Sequence, residues 1–289
     1  MVASETKNCV FLGQTGCHLT SYSNKYEKMA NFINRLMYPR KTQIYSIGTA
    51  KSGTHTLAEI WGNQFRTAHE PESELTLETY LKWQSEHISD QEKINFITDQ
   101  DKRLWLEVNS FSVNFIVHEC LRDIYPHSKF ILTIRNPYSW LDSFWNHQLT
   151  YSCSGNWKKM RDFRFCPELF SHSIEESVLK NNNLYTLDGY LSYWKKHNTA
   201  VLNNIPADRL LVVRTDKLNE RLDDLAHFAG LKNSKGMQAN SHIFAAQKKH
   251  NLLDKIDRKY LDEKINIHCK ELMSQFFPEI QSYSNLLPE

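Results

Sequence analysis

Residues 43–56 read QIYSIGTAKSGTHT. Gln43–Gly48 is a short apolar run closed by a glycine, the pattern of a buried strand. From Thr54 to Phe65 the residues Leu57, Ile60 and Trp61 recur at helical spacing on one face. Between strand and helix lie Thr49, Ala50, Lys51, Ser52 and Gly53, and Gly48 and Gly53 let the backbone turn sharply there. A strand, a tight turn and a helix make the first half of a βαβ unit, so a parallel sheet is expected.

The rest of the chain continues the alternation. Residues 76–100 carry Leu77, Tyr80, Leu81, Ile94 and Ile97 at spacings that suit one or two amphipathic helices. Arg103–Val108 (RLWLEV) reads as a second strand, Val113–Ile124 as a helix and Lys129–Ile134 (KFILTI) as a third strand. Pro137 suits the first turn of the next helix, where its missing N–H costs nothing. Thr186–Asn203 reads as a helix, Arg209–Val213 as a strand and Leu218–Ala229 as a helix ending at Gly230. The expected fold is an α/β three-layer sandwich with a central parallel sheet covered on both faces. No Pro/Gly-rich linker divides it, so residues 1–289 are expected to form a single domain, with 1–40 as a leader packing on it. The polar, aromatic-rich stretch 150–182 is expected to be an insertion that forms a lid or part of an acceptor site.

Composition narrows the function. The 35 Lys+Arg against 33 Asp+Glu give a formal net charge of +2, which argues against nucleic acid as a partner. No apolar run approaches the ~20 residues of a membrane helix, and Met1–Tyr22 lacks the basic and apolar regions of a secretory signal. No N-x-Ser/Thr glycosylation site occurs. The six cysteines are scattered without a C-x-x-C pair, so a structural zinc is not expected. Cys120 reads as a buried thiol, and a Cys153–Cys166 pair is disfavoured in a reducing compartment. A cytoplasmic location is the expectation.

In parallel sheets, ligands bind beyond the carboxyl ends of the strands. Lys51 there supplies a point charge, and Ser52, Thr54 and Thr56 supply hydroxyls, at the start of a helix whose N–H groups attract anions. The spacing of Gly48 and Gly53 mimics the nucleotide P-loop, but Thr54 follows Gly53 where that loop has lysine. KFILTI ends in Arg135-Asn136-Pro137, and an arginine closing a buried strand needs an anion or carboxylate to meet it. Ser143, eight residues further on, can face the same point from the following helix.

Lys51-Ser52-Gly53-Thr54 resembles the 5′-phosphosulfate loop, P-K/R-S/A-G-T-T/S, of the sulfotransferases that use 3′-phosphoadenosine 5′-phosphosulfate (PAPS). Ala50 stands where that family commonly has proline, and His55 where it has a hydroxyl residue. Arg135-Asn136-Pro137…Ser143 resembles the family's second motif, R-N-P-x-[DS]-x-x-x-S, which holds the 3′-phosphate; Ser139 departs from the commoner Asp at a mainly structural position. Arg209–Leu218 (RLLVVRTDKL) resembles the family's late strand, with Arg214 read as structural. The resemblance spans roughly residues 43–230.

It implies a sulfotransferase with PAPS as co-substrate, 3′-phosphoadenosine 5′-phosphate (PAP) as product and no metal. The implied nucleotide-binding residues are Lys51, Ser52, Gly53, Thr54, His55, Thr56, Arg135 and Ser143. The family's C-terminal R-K-G loop has no recognisable counterpart, and Lys248 and Lys249 are the nearest basic pair that could cover the 3′-phosphate. The tryptophan the family often places just after the loop is replaced by Thr56 and Leu57, while Trp61, Trp140 and Trp145 read as core.

Sulfuryl transfer needs a cation at the bridging oxygen, oriented donors and a base. Lys51 suits the first role. The K-x-H pattern that many cytosolic members use for the base is absent. Other branches place a Glu about twenty residues beyond the loop lysine, and Glu70 falls nineteen residues after Lys51. His69 is the alternative or an orienting partner, and Glu107, expected to close the second strand, is the next choice. Glu70, Glu72 and Glu74 suggest a cationic or polyhydroxylated small-molecule acceptor. The resemblance extends to natural-product tailoring enzymes of the saxitoxin-pathway type, with a guanidinium alkaloid as acceptor. Two other readings stand beside this one: a P-loop kinase or NTPase, which expects an acidic Mg²⁺-holding strand end, and a non-catalytic PAP binder. The sequence leaves the oligomeric state open.

Overall fold

The computed structural model describes residues 35–238 and 249–286. The chain divides into two compact units, Met1–Pro39 and Arg40–Glu289, and the sheet lies in the second. Lys248 and most of the 1–40 leader lie outside the described residues.

Five strands form one sheet: β1 (Ile44–Ser46), β2 (Thr67–His69), β3 (Val108–Ser110), β4 (Lys129–Ile134) and β5 (Leu210–Arg214). Their order is β2-β3-β1-β4-β5, and every pairing is parallel. Ile44 of the central β1 is in register with Val108 on one side and Lys129 on the other. The helices are α1 (Thr54–Ile60), α2 (Ser73–Ser85), α3 (Asp90–Leu104), α4 (His118–Ile124), α5 (Pro137–Thr150), α6 (Gly155–Phe165), α7 (Ser177–Asn181), α8 (Leu187–Asn204), α9 (Leu222–Phe228) and α10 (Arg258–Phe276).

Side chains alternate across each strand, so an all-parallel sheet must bury both faces. Ile44, Ile131 and Val213 pack on one face against Leu57 and Trp61, from α1 and its end, and Leu225 of α9. Tyr45, Ile47, Phe130 and Leu132 pack on the other against Leu77 and Tyr80 of α2 and Val201 of α8. A third cluster joins α5, α8 and α10 through Trp140, Trp145, Trp194, Leu261 and Ile265. At its edge Asp188 of α8 accepts from Lys264 Nζ (2.6 Å) and meets His268 Nε2 (2.8 Å) on α10.

The sheet order places a topological switch between β1 and β4. The chain leaves β1 toward the β2 edge and leaves β4 toward the β5 edge, and a crevice opens beyond the carboxyl ends of two such strands.

The elements differ from expectation at several points. The strand expected at Arg103–Val108 starts only at Val108. A capping box between Ser89 and Glu92 starts α3 at Asp90, and the helix runs through Arg103 and Leu104 to a left-handed Trp105. β2 was not expected: it is a three-residue edge strand with half-buried side chains, too short for a period and held by pairing with β3. Within 150–182, the stretch expected to be an insertion forming a lid or part of an acceptor site, lies α6, which buries Met160, Arg164 and Phe165. Val113–Ile124 divides into a 3₁₀ turn, Ser112–Val117, followed by α4.

Candidate active site at the strand ends

The loop after β1 is built to close tolerances. A Cβ on Gly48 would sit 2.1 Å from Thr133 Oγ1 and 2.8 Å from the Thr133 carbonyl, so only glycine fits between the strands. Gly53 has φ 101°, a left-handed conformation that leads into α1. Trp140 Nε1 donates to the Ala50 carbonyl (2.8 Å), and Thr215 Oγ1 donates to the Ser52 carbonyl (2.6 Å). These bonds bind the loop from α5 and from the end of β5. Held in this way, Lys51 takes a left-handed φ of 68°.

Ser52 does not present its hydroxyl to a ligand. It is fully buried, donates to the Thr49 carbonyl (2.6 Å) and bonds Thr133 Oγ1 (2.9 Å). The serine is a strut of the loop, and the direct ligand-facing role expected for its side chain is corrected.

Arg135 ends β4 beside this loop. Its Nη1 donates to the Lys51 carbonyl (3.2 Å) and its Nε to Ser139 Oγ (3.1 Å), while its own carbonyl accepts from Trp194 Nε1 (3.0 Å). Lys51 and Arg135 therefore converge on the switch point. Burial lowers the pKa of the Lys51 ammonium; Arg135 adds to that lowering and Glu70 opposes it. Arg135 is likewise lowered by burial, with Asp142 and Asp216 opposing. Two adjacent, partly desolvated cations are costly unless an anion joins them.

Helix α5 supplies the third side. Asn136 caps it by accepting from Ser139 N (3.0 Å), with Pro137 in the first turn as expected. Ser139, Ser143 and His147 follow at i, i+4 and i+8, so they share the stripe above Arg135. Ser143 is half-buried on that stripe. Lys249 is exposed beside His250, whose N–H bonds Asn146 Oδ1 on α5 (2.7 Å), so it lies near the far end of the stripe.

The opposite side comes from β2 and β3. Glu70 follows β2 with a left-handed φ of 53°, and its N–H donates to the Ser110 carbonyl at the end of β3 (3.0 Å). Burial raises the Glu70 pKa, while Arg164 and Lys51 oppose the rise. His69 Nε2 is 4.0 Å from Glu70 Oε1 and 3.4 Å from Thr54 Oγ1. Burial, then His55 and Lys51, push the His69 imidazole down to about 4, so it is neutral at pH 7. The His55 and His69 rings lie 4.6 Å apart. Burial also lowers His55, with Glu59 opposing from 3.5 Å. Thr56 is half-buried on α1.

Glu107 is at the wrong end of the sheet. It precedes β3, is buried, and accepts from Lys41 N (2.8 Å) and Arg66 N (2.9 Å). In a parallel sheet the amino end of β3 lies opposite the Lys51 loop, so its expected role as base is corrected to a structural one. The misplaced strand caused the error. The acidic trio is also dispersed: Glu72 accepts from Arg103 (2.9 Å) and Gln100 (3.2 Å), and Glu74 is exposed on α2. Trp61, Trp140 and Trp145 are buried in the core, as their spacing suggests.

Two residues at the site escaped the sequence reading. His147 is pushed down to about 4 by burial, with Lys51 and Arg161 adding to it; the i+4 step from Ser143 was the available signal. Arg164, within the polar, aromatic-rich stretch 150–182, is 8% exposed and donates from Nη2 to Ser112 Oγ (3.1 Å).

A family model described as a sulfotransferase domain matches residues 43–238. The chain is 35% identical over 105 residues to Ava biosynthesis cluster protein M from Aspergillus versicolor, a match that covers 34% of this chain and 40% of that relative. A crystal structure of a sulfotransferase from Alicyclobacillus acidocaldarius superposes with a TM-score of 0.48 at 16% identity, covering 81% of this chain and 95% of that one.

Proposed function

The chain belongs to the sulfotransferase family, and from that premise we propose that it moves the sulfuryl group of PAPS to a hydroxyl or amine nitrogen of a small-molecule acceptor. The observation that carries this reading is the convergence of Lys51 and Arg135 at the β1/β4 switch point, fixed by the bond from Arg135 Nη1 to the Lys51 carbonyl. Among the described residues neither cation forms an ion pair, and two such neighbouring cations suit a ligand with anionic groups at both ends.

The residues fit such a nucleotide in outline. Lys51 would meet the charge that develops on the bridging oxygen as the sulfur–oxygen bond breaks. Arg135 and Ser143 would hold the 3′-phosphate, and Lys249 would add to that charge. Glu70 would take the proton of the acceptor O–H or N–H as the new bond to sulfur forms. Its burial-raised pKa makes it a stronger base than a solvated carboxylate, and Lys51 and Arg164 favour its ionised form. Neutral His69 would orient Thr54 and the Glu70 carboxylate. The name of the Aspergillus relative places that protein in a biosynthesis cluster; we extend this to tailoring of a small, hydroxylated metabolite. The cationic acceptor loses its basis with the dispersal of Glu72 and Glu74.

A thermal melt tests the reading. PAP should raise the unfolding temperature and ATP with Mg²⁺ should not, through linkage of binding to folding. Equal shifts from both nucleotides would return the loop to the kinase class. PAP binding with no turnover of labelled PAPS across an acceptor panel would support the non-catalytic binder.

A further inference from the structure

We propose that the acceptor taken at this site carries an anionic group of its own, and that Arg164 on α6 recognises it. The inference rests on the sulfuryl-transfer reading above and names its substrate class: a small phenol or alcohol bearing a carboxylate or comparable anion.

Arg164 is placed by the same strand tips that place Glu70. Ser110, at the end of β3, accepts the Glu70 N–H (3.0 Å), and Ser112, two residues on, accepts from Arg164 Nη2 (3.1 Å). The guanidinium also lies over Tyr193 on α8, 5.6 Å from the ring centroid. One face and one N–H are thus engaged, and a guanidinium has five N–H donors in a fixed fork. At 8% exposure such a group is expensive to bury without an anion. Arg164 and Lys51 both act on Glu70 from a distance, and among the described residues neither forms an ion pair with it. Glu70 therefore stands under the influence of both Lys51 and Arg164, and an acceptor that approaches this base meets the same two cations.

Charge counting gives the sign of that acceptor. Arg161 precedes Arg164 by three residues, so both project from one face of α6. Arg161 and Lys51 both act electrostatically on His147. Among the described residues neither arginine is ion-paired; Asp162, between them, instead accepts from Lys158 (2.7 Å) and Tyr185 (2.7 Å). Lys51 and Arg135 are engaged by the donor nucleotide, which leaves the α6 side chains to meet the acceptor. Two arginines then remain against the single carboxylate of Glu70, because His69 and His147 are neutral at pH 7. The wall keeps a net positive charge, which repels a cationic acceptor and attracts an anionic one. Trp157, a helical turn before Arg161, lies 6.2 Å from Phe111 between ring centroids and gives the same face an aromatic flank.

The test uses the full chain saturated with PAP and three phenols of matched shape: 4-hydroxyphenylacetate, 4-ethylphenol and tyramine. Calorimetry should show 4-hydroxyphenylacetate binding about ten-fold or more tighter than tyramine, the span of a charge-assisted hydrogen bond. Arg164→Met should erase that preference and Arg164→Lys should retain part of it, with PAP affinity unchanged in both. Tyramine binding as tightly as the acid, a preference that survives Arg164→Met, or no binding by any of the three would each overturn the proposal. PAP binding, measured first in each variant, reports folding and tests the sulfotransferase reading separately. If PAP fails to bind the native chain, that reading falls; if PAP binds and the phenols do not discriminate, only Arg164 does.

Discussion

Glu70 and Lys51 depend on each other. Burial lifts the carboxyl, the ammonium draws it back, and the carboxylate in turn supports the charge on a lysine lowered by burial and by Arg135. Glu70→Gln keeps the shape and removes the proton acceptor, so turnover should fall by about 10²–10⁴ with PAP affinity unchanged, as single-turnover kinetics and calorimetry would read. The base must be ionised to act, so the rate should rise with pH through a value above 4.5, the ordinary value for Glu. The alkaline limb should begin below 10.5, because Lys51 loses its proton earlier than a solvated lysine. An acid limb at or below the ordinary Glu value would remove Glu70 from the role. Lys51, Arg135 and Ser143 were legible because they stand at fixed offsets from a strand end. Glu107 was misread because one strand boundary was misplaced, which moved it from the amino end of β3 to a carboxyl end. Ser52 fits the motif by type, but its hydroxyl is consumed by Thr49 and Thr133.

The helix that carries Ser139, Ser143 and His147 starts at a cap, and the cap sets the angle of that stripe over Arg135. Asn136→Ala should cost about 1 kcal/mol of stability and also weaken PAP binding, because the first turn of α5 loosens. Asp257 caps α10 in the same way, accepting from Tyr260 N (2.9 Å), on a helix that does not follow a strand of the sheet. Asp257→Ala should cost a similar amount and leave PAP affinity unchanged. Paired melts and PAP titrations would separate the two, and equal PAP affinity in both variants would show that the cap of α5 is structural only. Helix α6 shows the limit of sequence reading for elements. Its eleven residues hold Lys158, Lys159, Arg161 and Arg164, a composition that reads as solvated, and only packing shows that Met160, Arg164 and Phe165 are buried.

Three histidines with strongly lowered pKa values, His197 buried and His69 and His147 half-buried, contribute to the acid stability of the molecule. Burial is the leading cause for each: His69 and His147 fall to about 4 and His197 to about 3. His197 is fully buried, with Nε2 2.7 Å from the Ile47 carbonyl, and its ring stacks on Phe115. The unfolded chain takes up these protons near 6.5, and the folded chain takes them up only below these values. Stability is therefore insensitive to their titration above about pH 7 and falls as pH drops from 6.5 toward 4, because the unfolded state then binds more protons. Melting temperature against pH should show this decline, and His147→Gln should make it shallower. A flat profile between pH 6.5 and 4 would show that these rings are solvated.

The sequence alone determined what its local patterns can encode: the strand periods at 43–48 and 129–134, the helix after the first loop, and the residues at fixed offsets from those strands, Lys51 and Arg135. Those signals come from neighbours along the chain, where geometry is nearly independent of the rest of the fold. Tertiary structure decided the strand order, the edge strand that carries His69 and Glu70, and the arrival of Arg164 and His147 opposite them. These depend on parallel crossovers that bring distant residues together, and no local period records which strand tips will become neighbours.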